Sequence, residues 1–233
     1  MIDEKSNAPT PMVFETTTKR LALDEEGLDQ ALRAACEVLE AGGMVIFPTE
    51  SFYGLGVKAD NGEAVARLAA LKSRSSQKPI PTVGATRSDV ERIGAIPAPI
   101  EPLVKAFWPG PLTVAIEPRD TSWPAPLTGQ TNSVGVRIPG NVVARRLAAI
   151  SGGLITASSA NLAGGEPTTS PDRLDPAVAA KAQLILDGGL SAGGLPSTVV
   201  AAHGAEIVVL RRGAISVQAL AAVLGKQPKV EDE

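Results

Sequence analysis

The chain has 233 residues, 44% of them hydrophobic, which is enough for one sizeable core. Lys and Arg total 22 against 25 Asp and Glu, a formal charge of −3. Net charge therefore offers no general attraction to nucleic acid, although a local basic face stays open. A single cysteine, Cys36, excludes an internal disulfide and a cysteine-based zinc site, and a single histidine, His203, in a turn before Gly204, makes His-based triads and multi-histidine metal centres poor candidates.

Residues 1–20 read as a flexible arm that could add an edge strand near Met12 to Thr16. Its first ten residues are polar and hold no apolar signal core, and no apolar run approaches the ~20 residues of a membrane span. A cytoplasmic protein without a membrane partner is expected. Asp24 is placed to cap a helix to Ala41, because Leu28, Ala31, Leu32, Ala35, Val38 and Leu39 fall on one face. Gly42-Gly43 stops it. Cys36 on its apolar side reads as a core thiol.

Met44 to Phe47 is a short apolar run, the pattern of a buried strand. Pro48 ends it, having no N–H to donate. Thr49, Ser51 and Tyr53 then supply hydroxyls, and Gly54 and Gly56 bare backbone. Ligands of open α/β sheets bind beyond strand ends, so the stretch is a candidate site; a strand followed by a Gly-rich turn is the equal alternative. Asn61 caps a second helix with Val65, Leu68 and Leu71 inside. It runs into Lys72-Ser73-Arg74-Ser75-Ser76-Gln77-Lys78-Pro79. Three cations at a helix end either complement the helix dipole or form an anion clamp.

Ile80 to Ala85 reads as an irregular strand. Short helices are expected from a Ser88 cap to Ile93 and from Ile100 to Phe107, then a strand from Leu112 to Glu117. A polar connection, Pro118 to Thr131, follows. Ser133 to Pro139 is an apolar strand carrying Arg137, which either faces outward or needs an anionic partner. A helix from Val142 to Ile150 precedes Leu154 to Asn161, a strand that dissolves into Ser158, Ser159 and Asn161. A helix at Pro176 to Ala182 and a strand at Leu184 to Leu186 come next. Ser197 to Ala201 and Glu206 to Leu210 form a hairpin across His203-Gly204, and Ser216 caps a last helix to Leu224. The elements mix rather than alternate strictly. The expected fold is α/β: a single domain, residues 21–225, with a twisted mixed parallel and antiparallel sheet, flanking helices and an open concave cleft. Residues 226–233 read as a charged tail.

Seven pieces, in order, resemble the YrdC-like family, the threonylcarbamoyl-AMP synthases. They are Pro48-Thr49-Glu50-Ser51-Phe52-Tyr53-Gly54-Leu55-Gly56, Lys72-Ser73-Arg74 with Lys78-Pro79, Trp108-Pro109-Gly110-Pro111-Leu112-Thr113, Val136-Arg137-Ile138-Pro139, Ser159-Ala160-Asn161, Ser197-Thr198-Val199 and Leu210-Arg211-Arg212-Gly213. Each is weak alone; the ordered set is specific. The resemblance implies a YrdC-like fold in a short single-domain form. It implies a nucleotidyltransferase that joins L-threonine, bicarbonate and ATP into threonylcarbamoyl-adenylate and pyrophosphate, with Mg²⁺ on the ATP phosphates. A downstream tRNA threonylcarbamoyltransferase system would use the product for tRNA N6-threonylcarbamoyladenosine, and tRNA contact is open.

By the same resemblance Lys72 and Arg74 would be catalytic. Arg74, Lys78, Ser133, Ser159, Asn161, Thr168 and Arg211 would bind ATP. Thr49, Arg137, Ala157 and Thr198 would bind threonine, with Ser197 the rival of Thr198. Ser75 and Arg212 stand where the family often has proline. The matched pieces end near residue 215, so the extra C-terminal domain of longer members is not expected, and any lid must come from elsewhere. Two other classes compete. One is a non-catalytic structured-RNA binding module, which the acidic charge and 3% aromatic content disfavour. The other is the related domain of hydrogenase-maturation carbamoyltransferases, whose cysteine-rich zinc parts one cysteine cannot supply.

Overall fold

A computed structural model describes residues 18–72 and 79–231. Met12 to Thr16, Arg74 and Lys78 lie outside the described residues. In chain order the regular elements are β1 (Lys19–Ala22), α1 (Leu28–Glu40), β2 (Val45–Pro48), β3 (Tyr53–Gly56), α2 (Gly62–Leu71), β4 (Thr82–Gly84) and α3 (Arg87–Ile93). Next come α4 (Glu101–Phe107), β5 (Leu112–Ile116), α5 (Ala125–Thr128), β6 (Val134–Arg137), α6 (Val142–Ile150), β7 (Leu154–Thr156) and β8 (Ser158–Ser159). The chain closes with α7 (Pro176–Ala179), β9 (Leu184–Asp187), β10 (Thr198–His203), β11 (Glu206–Arg211), α8 (Val217–Leu224) and β12 (Lys229–Val230).

The mixed α/β architecture is as expected, but the strands divide between two sheets instead of one. The smaller has the order β1-β9-β2-β3-β8 and the larger β12-β11-β10-β5-β6-β4-β7. Each combines parallel and antiparallel pairs: β2 runs parallel to β9 and antiparallel to β3, and β5 parallel to β10 and antiparallel to β6. The chain steps from the larger sheet to the smaller through one residue, Ala157, between β7 and β8.

Thr156 fastens that step. Its N–H donates to Val57 O (2.9 Å) and its hydroxyl accepts from Val57 N–H (3.0 Å). Period-two alternation distributes the core. On β2, Ile46 joins the main apolar cluster with Leu55, Val114 and Val136, while Val45 and Phe47 face a second cluster. That second cluster holds Ala31, Leu32, Ala35 and Leu39 of α1 and Ala144, Leu147 and Ala148 of α6. It also holds Val83 and Ile155 of the larger sheet.

Local signals set most boundaries. Asn61 Oδ1 accepts from Ala64 N–H (3.0 Å) and Ser216 Oγ from Ala219 N–H (3.1 Å), the caps read from sequence. Asp24 lies one turn earlier than a cap: it accepts from Gly27 N–H (2.6 Å), and α1 starts at Leu28. The cap of α3 is Thr86 rather than Ser88, through a reciprocal capping box with Asp89. The stretch read as a charged tail contributes β12, paired in parallel with β11.

Gly56 marks a close approach between the two sheets. A Cβ there would meet Phe47 Cε1 at 2.7 Å and Thr156 O at 2.9 Å. Gly62, the first residue of α2, would meet nothing within 4 Å. Gly56→Ala is expected to lower stability by about 1–3 kcal/mol, as overpacking does. Gly62→Ala should be neutral or stabilising by up to about 1 kcal/mol. Urea-unfolding midpoints of the two variants check both.

Candidate functional site

The larger sheet has one face toward the main core and one that is only partly covered. Val134 and Val136 point into the core, so Arg137 points the other way. Val114 pairs with Val136 on the neighbouring strand, which sets Thr113 beside Arg137 on that opposite face. Towards β4 and β7 the face is apolar, and Val83 and Ile155 pack under α6. Beyond them it turns polar. There a cleft of about 220 Å³ opens. It is lined by the β2–β3 turn (Thr49, Ser51, Phe52), the sheet crossover (Ala157, Ser158, Ser159), Arg137, Ser197 and Arg211, among others.

Each contributor is held from below. Thr49 Oγ1 donates to Phe52 O (2.6 Å) and accepts from Ser51 N–H (3.3 Å), closing the turn. Ala157 N–H donates to Pro81 O (2.8 Å). Arg211 donates to Ser197 O from Nη2 (2.8 Å) and Nε (3.2 Å), and to Ser197 Oγ (3.0 Å). Ser197 Oγ also bonds Thr113 Oγ1 at 2.8 Å. Arg137 is buried and donates from Nη1 to Glu50 Oε1. Burial first, and the nearby Arg211 charge second, pull its guanidinium down to about 10. It therefore stays a cation at neutral pH. Two guanidinia facing one cavity, with one carboxylate against them, make a site for anionic ligands.

The structure does not bring all the sequence-derived candidates to one place. Thr49, Arg137, Ala157, Ser159 and Arg211 line the cleft together. Lys72, Asn161 and Thr168 lie outside its lining, with side chains engaged locally. Lys72 Nζ donates to Ser159 O (2.9 Å), Asn161 Oδ1 (3.1 Å) and Asn161 O. An ammonium has three donors, so a phosphate contact by Lys72 must displace one of these bonds. Asn161 Nδ2 donates to Leu162 O (2.8 Å) and Gly165 O, and Thr168 Oγ1 to Ser170 O (2.8 Å). Ser133 sits at the other end of β6 from Arg137, roughly 13 Å along the strand.

Thr198 and Ser197 exchange places. The Thr198 hydroxyl is buried, donating to Ile215 O (2.7 Å) and accepting from Ile215 N–H (3.0 Å). Its side chain does not reach the cleft, whereas that of Ser197 bonds the cleft residue Arg211. Adjacent strand residues face opposite ways, so only one of the pair can serve. Tyr53, read as a hydroxyl donor at the strand end, turns its OH away to Gly189 O (2.7 Å) and accepts from Gly188 N–H (3.1 Å). Burial raises its pKa. Ser158 and Glu50 were not singled out from sequence; the Ser-Ser pair before Asn161 was the only hint of the first. A larger cavity of about 500 Å³ lies elsewhere, beside Gly42, Arg67, Leu71 and Lys181. It gathers none of the candidate residues.

The Sua5/YciO/YrdC family model, described as "Telomere recombination", matches residues 37–213. The chain belongs to this family. The Sua5/YciO/YrdC match spans β2 to the end of β11 and so includes the whole cleft. A threonylcarbamoyl-AMP synthase from Pyrococcus abyssi is 34% identical over 84% of this chain and 57% of its own length. One from Halorhodospira halophila is 31% identical over 78% of this chain and 94% of its own. The crystal structure of P. abyssi Sua5 complexed with L-threonine superposes with a TM-score of 0.82 at 32% identity. That superposition covers 93% of this chain and 63% of the other. The chain thus spans a little over half the length of the P. abyssi relative. No helix among the described residues is long and apolar enough to cross a membrane.

Thr198→Val should lower stability by about 1–3 kcal/mol, because both Ile215 backbone groups lose their buried partner. Ser197→Ala should lower it by less, about 1 kcal/mol, since Arg211 keeps the Ser197 carbonyl and the buried Thr113 hydroxyl alone loses its partner. Chemical denaturation of the two variants separates the buried hydroxyl from the cleft hydroxyl.

Proposed function

We propose that this chain makes L-threonylcarbamoyl-adenylate and pyrophosphate from L-threonine, bicarbonate and ATP. The observation that carries the reading is the convergence of Arg137 and Arg211, with the hydroxyls of Thr49, Ser51, Ser159 and Ser197, on one cleft. Relatives named threonylcarbamoyl-AMP synthase, and a Sua5 structure containing L-threonine, support it. In this reading Arg137 would hold the threonine carboxylate, with Thr49, Ala157 and Ser197 around the rest of the amino acid. Arg211, Ser159 and the cations at 72, 74 and 78 would lie along the nucleotide, and Ser133 at the far end of β6.

The chemistry asks for little beyond position and charge. The amine of threonine and bicarbonate give a carbamate and water. A carbamate oxygen then forms a bond to the α-phosphorus of ATP as the bond to pyrophosphate breaks. Such a displacement depends on alignment and on neutralising the phosphate charge. Arg211 and its neighbours would supply the protein's share, and no histidine is required. Mg²⁺ would ride on the triphosphate and share that neutralisation. The described residues contain no group of three or more His, Cys, Asp or Glu that could hold a metal, so phosphate oxygens would be its main ligands. The product would pass to a tRNA-modifying transferase in the cell's interior.

Pyrophosphate release from ATP should require both L-threonine and bicarbonate; equal release when threonine is omitted overturns the reading. Arg137→Gln should weaken threonine binding by roughly 10- to 100-fold, the loss of about 1.5–3 kcal/mol expected for a charged hydrogen bond. Titration calorimetry measures it. Arg74→Ala should weaken ATP binding and leave the melting temperature unchanged. Normal ATP affinity with a large stability loss would remove Arg74 from the clamp.

A further inference from the structure

Glu50 sits in the middle of the β2–β3 turn, between two residues that line the cleft, and its Oε1 accepts from Arg137 Nη1. The pair is incomplete. Glu50 Oε2 is buried and has no hydrogen-bond partner among the described residues. A desolvated carboxylate oxygen without a donor is unfavourable, so the turn holds Glu50 in a position that costs free energy. The reason for keeping it there lies in Arg137, a buried cation that also feels the like charge of Arg211. Without an anion beside it, Arg137 would be unpaired, which is costlier still.

Solvent is close by. About a fifth of the Glu50 side chain is exposed (21%), against 11% for Arg137. The flanking turn is held through Thr49 Oγ1, which bonds Phe52 O and Ser51 N–H without using Glu50. The carboxylate can therefore rotate out while the turn stays closed.

We propose that Glu50 is an internal competitor for the carboxylate position on Arg137. It holds that position in the ligand-free protein, is displaced by the substrate carboxylate, and returns as product leaves. The inference rests on the functional reading above and adds a specificity-determining residue to it. Displacement exchanges one carboxylate for another on the same guanidinium and returns Glu50 to water, which relieves its unpartnered oxygen. A ligand lacking a carboxylate has nothing to exchange. The competition lowers apparent affinity by the fraction of time Arg137 is free: with Glu50 bound about nine-tenths of the time, the loss is about tenfold.

Calorimetric titration of L-threonine, and of L-threoninol, which has no carboxylate, into wild type, Glu50→Gln and Glu50→Ala tests this. Glutamine keeps the shape and a neutral acceptor; alanine removes both. The expected result is threonine binding about tenfold tighter in both variants, with threoninol affinity unchanged. Unchanged or weaker threonine binding in the variants, with normal binding by wild type, overturns the competitor role; weaker binding would make Glu50 a substrate contact. An equal gain for threonine and threoninol also overturns it, because the gain would not depend on the carboxylate. Loss of cooperative thermal unfolding in both variants overturns it too, by making Glu50 a structural counter-ion. Absence of threonine binding in all three proteins defeats the functional reading itself, and is distinguishable from every outcome above.

Discussion

The cleft depends on how Thr156 joins the two sheets. The residue ends β7 in the larger sheet, yet its N–H and hydroxyl are both spent on Val57, just past the end of β3 in the smaller one. Two hydrogen bonds from one buried residue, with Ala59 N–H donating to Leu154 O (3.2 Å) beside them, fix the separation of the two sheets. Gly56 permits the approach, since its missing Cβ leaves room for Phe47 and for the Thr156 carbonyl. With this join fixed, the next three residues, Ala157 to Ser159, must emerge at the seam. The β2–β3 turn then faces the ends of β6 and β11 across it.

The seam sets the electrostatics in turn. Arg137 is aimed at the cleft because Val134 and Val136 occupy the core side of β6. Arg211 comes from the end of β11 and is steered by the carbonyl and hydroxyl of Ser197. Lys72 reaches from the C-terminal end of α2 to the Ser159–Asn161 backbone. Its charge serves first to gather carbonyl oxygens that would otherwise crowd one another. The charged residues thus sit differently: Lys72 is engaged at the strand end, while Arg137 and Arg211 line the cavity.

Much of this was legible in the sequence. The apolar run Met44 to Phe47, the caps at Asn61 and Ser216, the helix from Val142 to Ile150 and the hairpin at His203-Gly204 all rest on local signals within one turn or strand. The division into two sheets was not legible. Each strand reads the same whether its neighbours continue one sheet or begin another, and the crossover is a single alanine. The site shows the same boundary. Strand ends rich in hydroxyls and cations marked Thr49, Arg137, Ser159 and Arg211. Choosing between Ser197 and Thr198 required the phase of β10 relative to Ile215, which lies 17 residues on. The resemblance assigns Asn161 and Thr168 to ATP; in the ligand-free protein their side chains close turns, as small polar side chains often do. Glu50 went unmarked because its importance lies in a partner 87 residues away.

A site of this construction tolerates change unevenly. Its cations and hydroxyls project from strand ends and turns, where substitution leaves the sheets intact. The residues that bring them together, Thr156, Gly56, Phe47 and Thr198, are buried and lie outside the cleft lining. Chemistry that needs alignment and charge rather than a proton-transfer residue suits such a division. The seam fixes where the polar groups of the loops meet. Glu50 belongs with the loop groups by position, on a turn, and with the buried residues by its unpartnered oxygen. A residue caught between the two is one whose resting place is provisional.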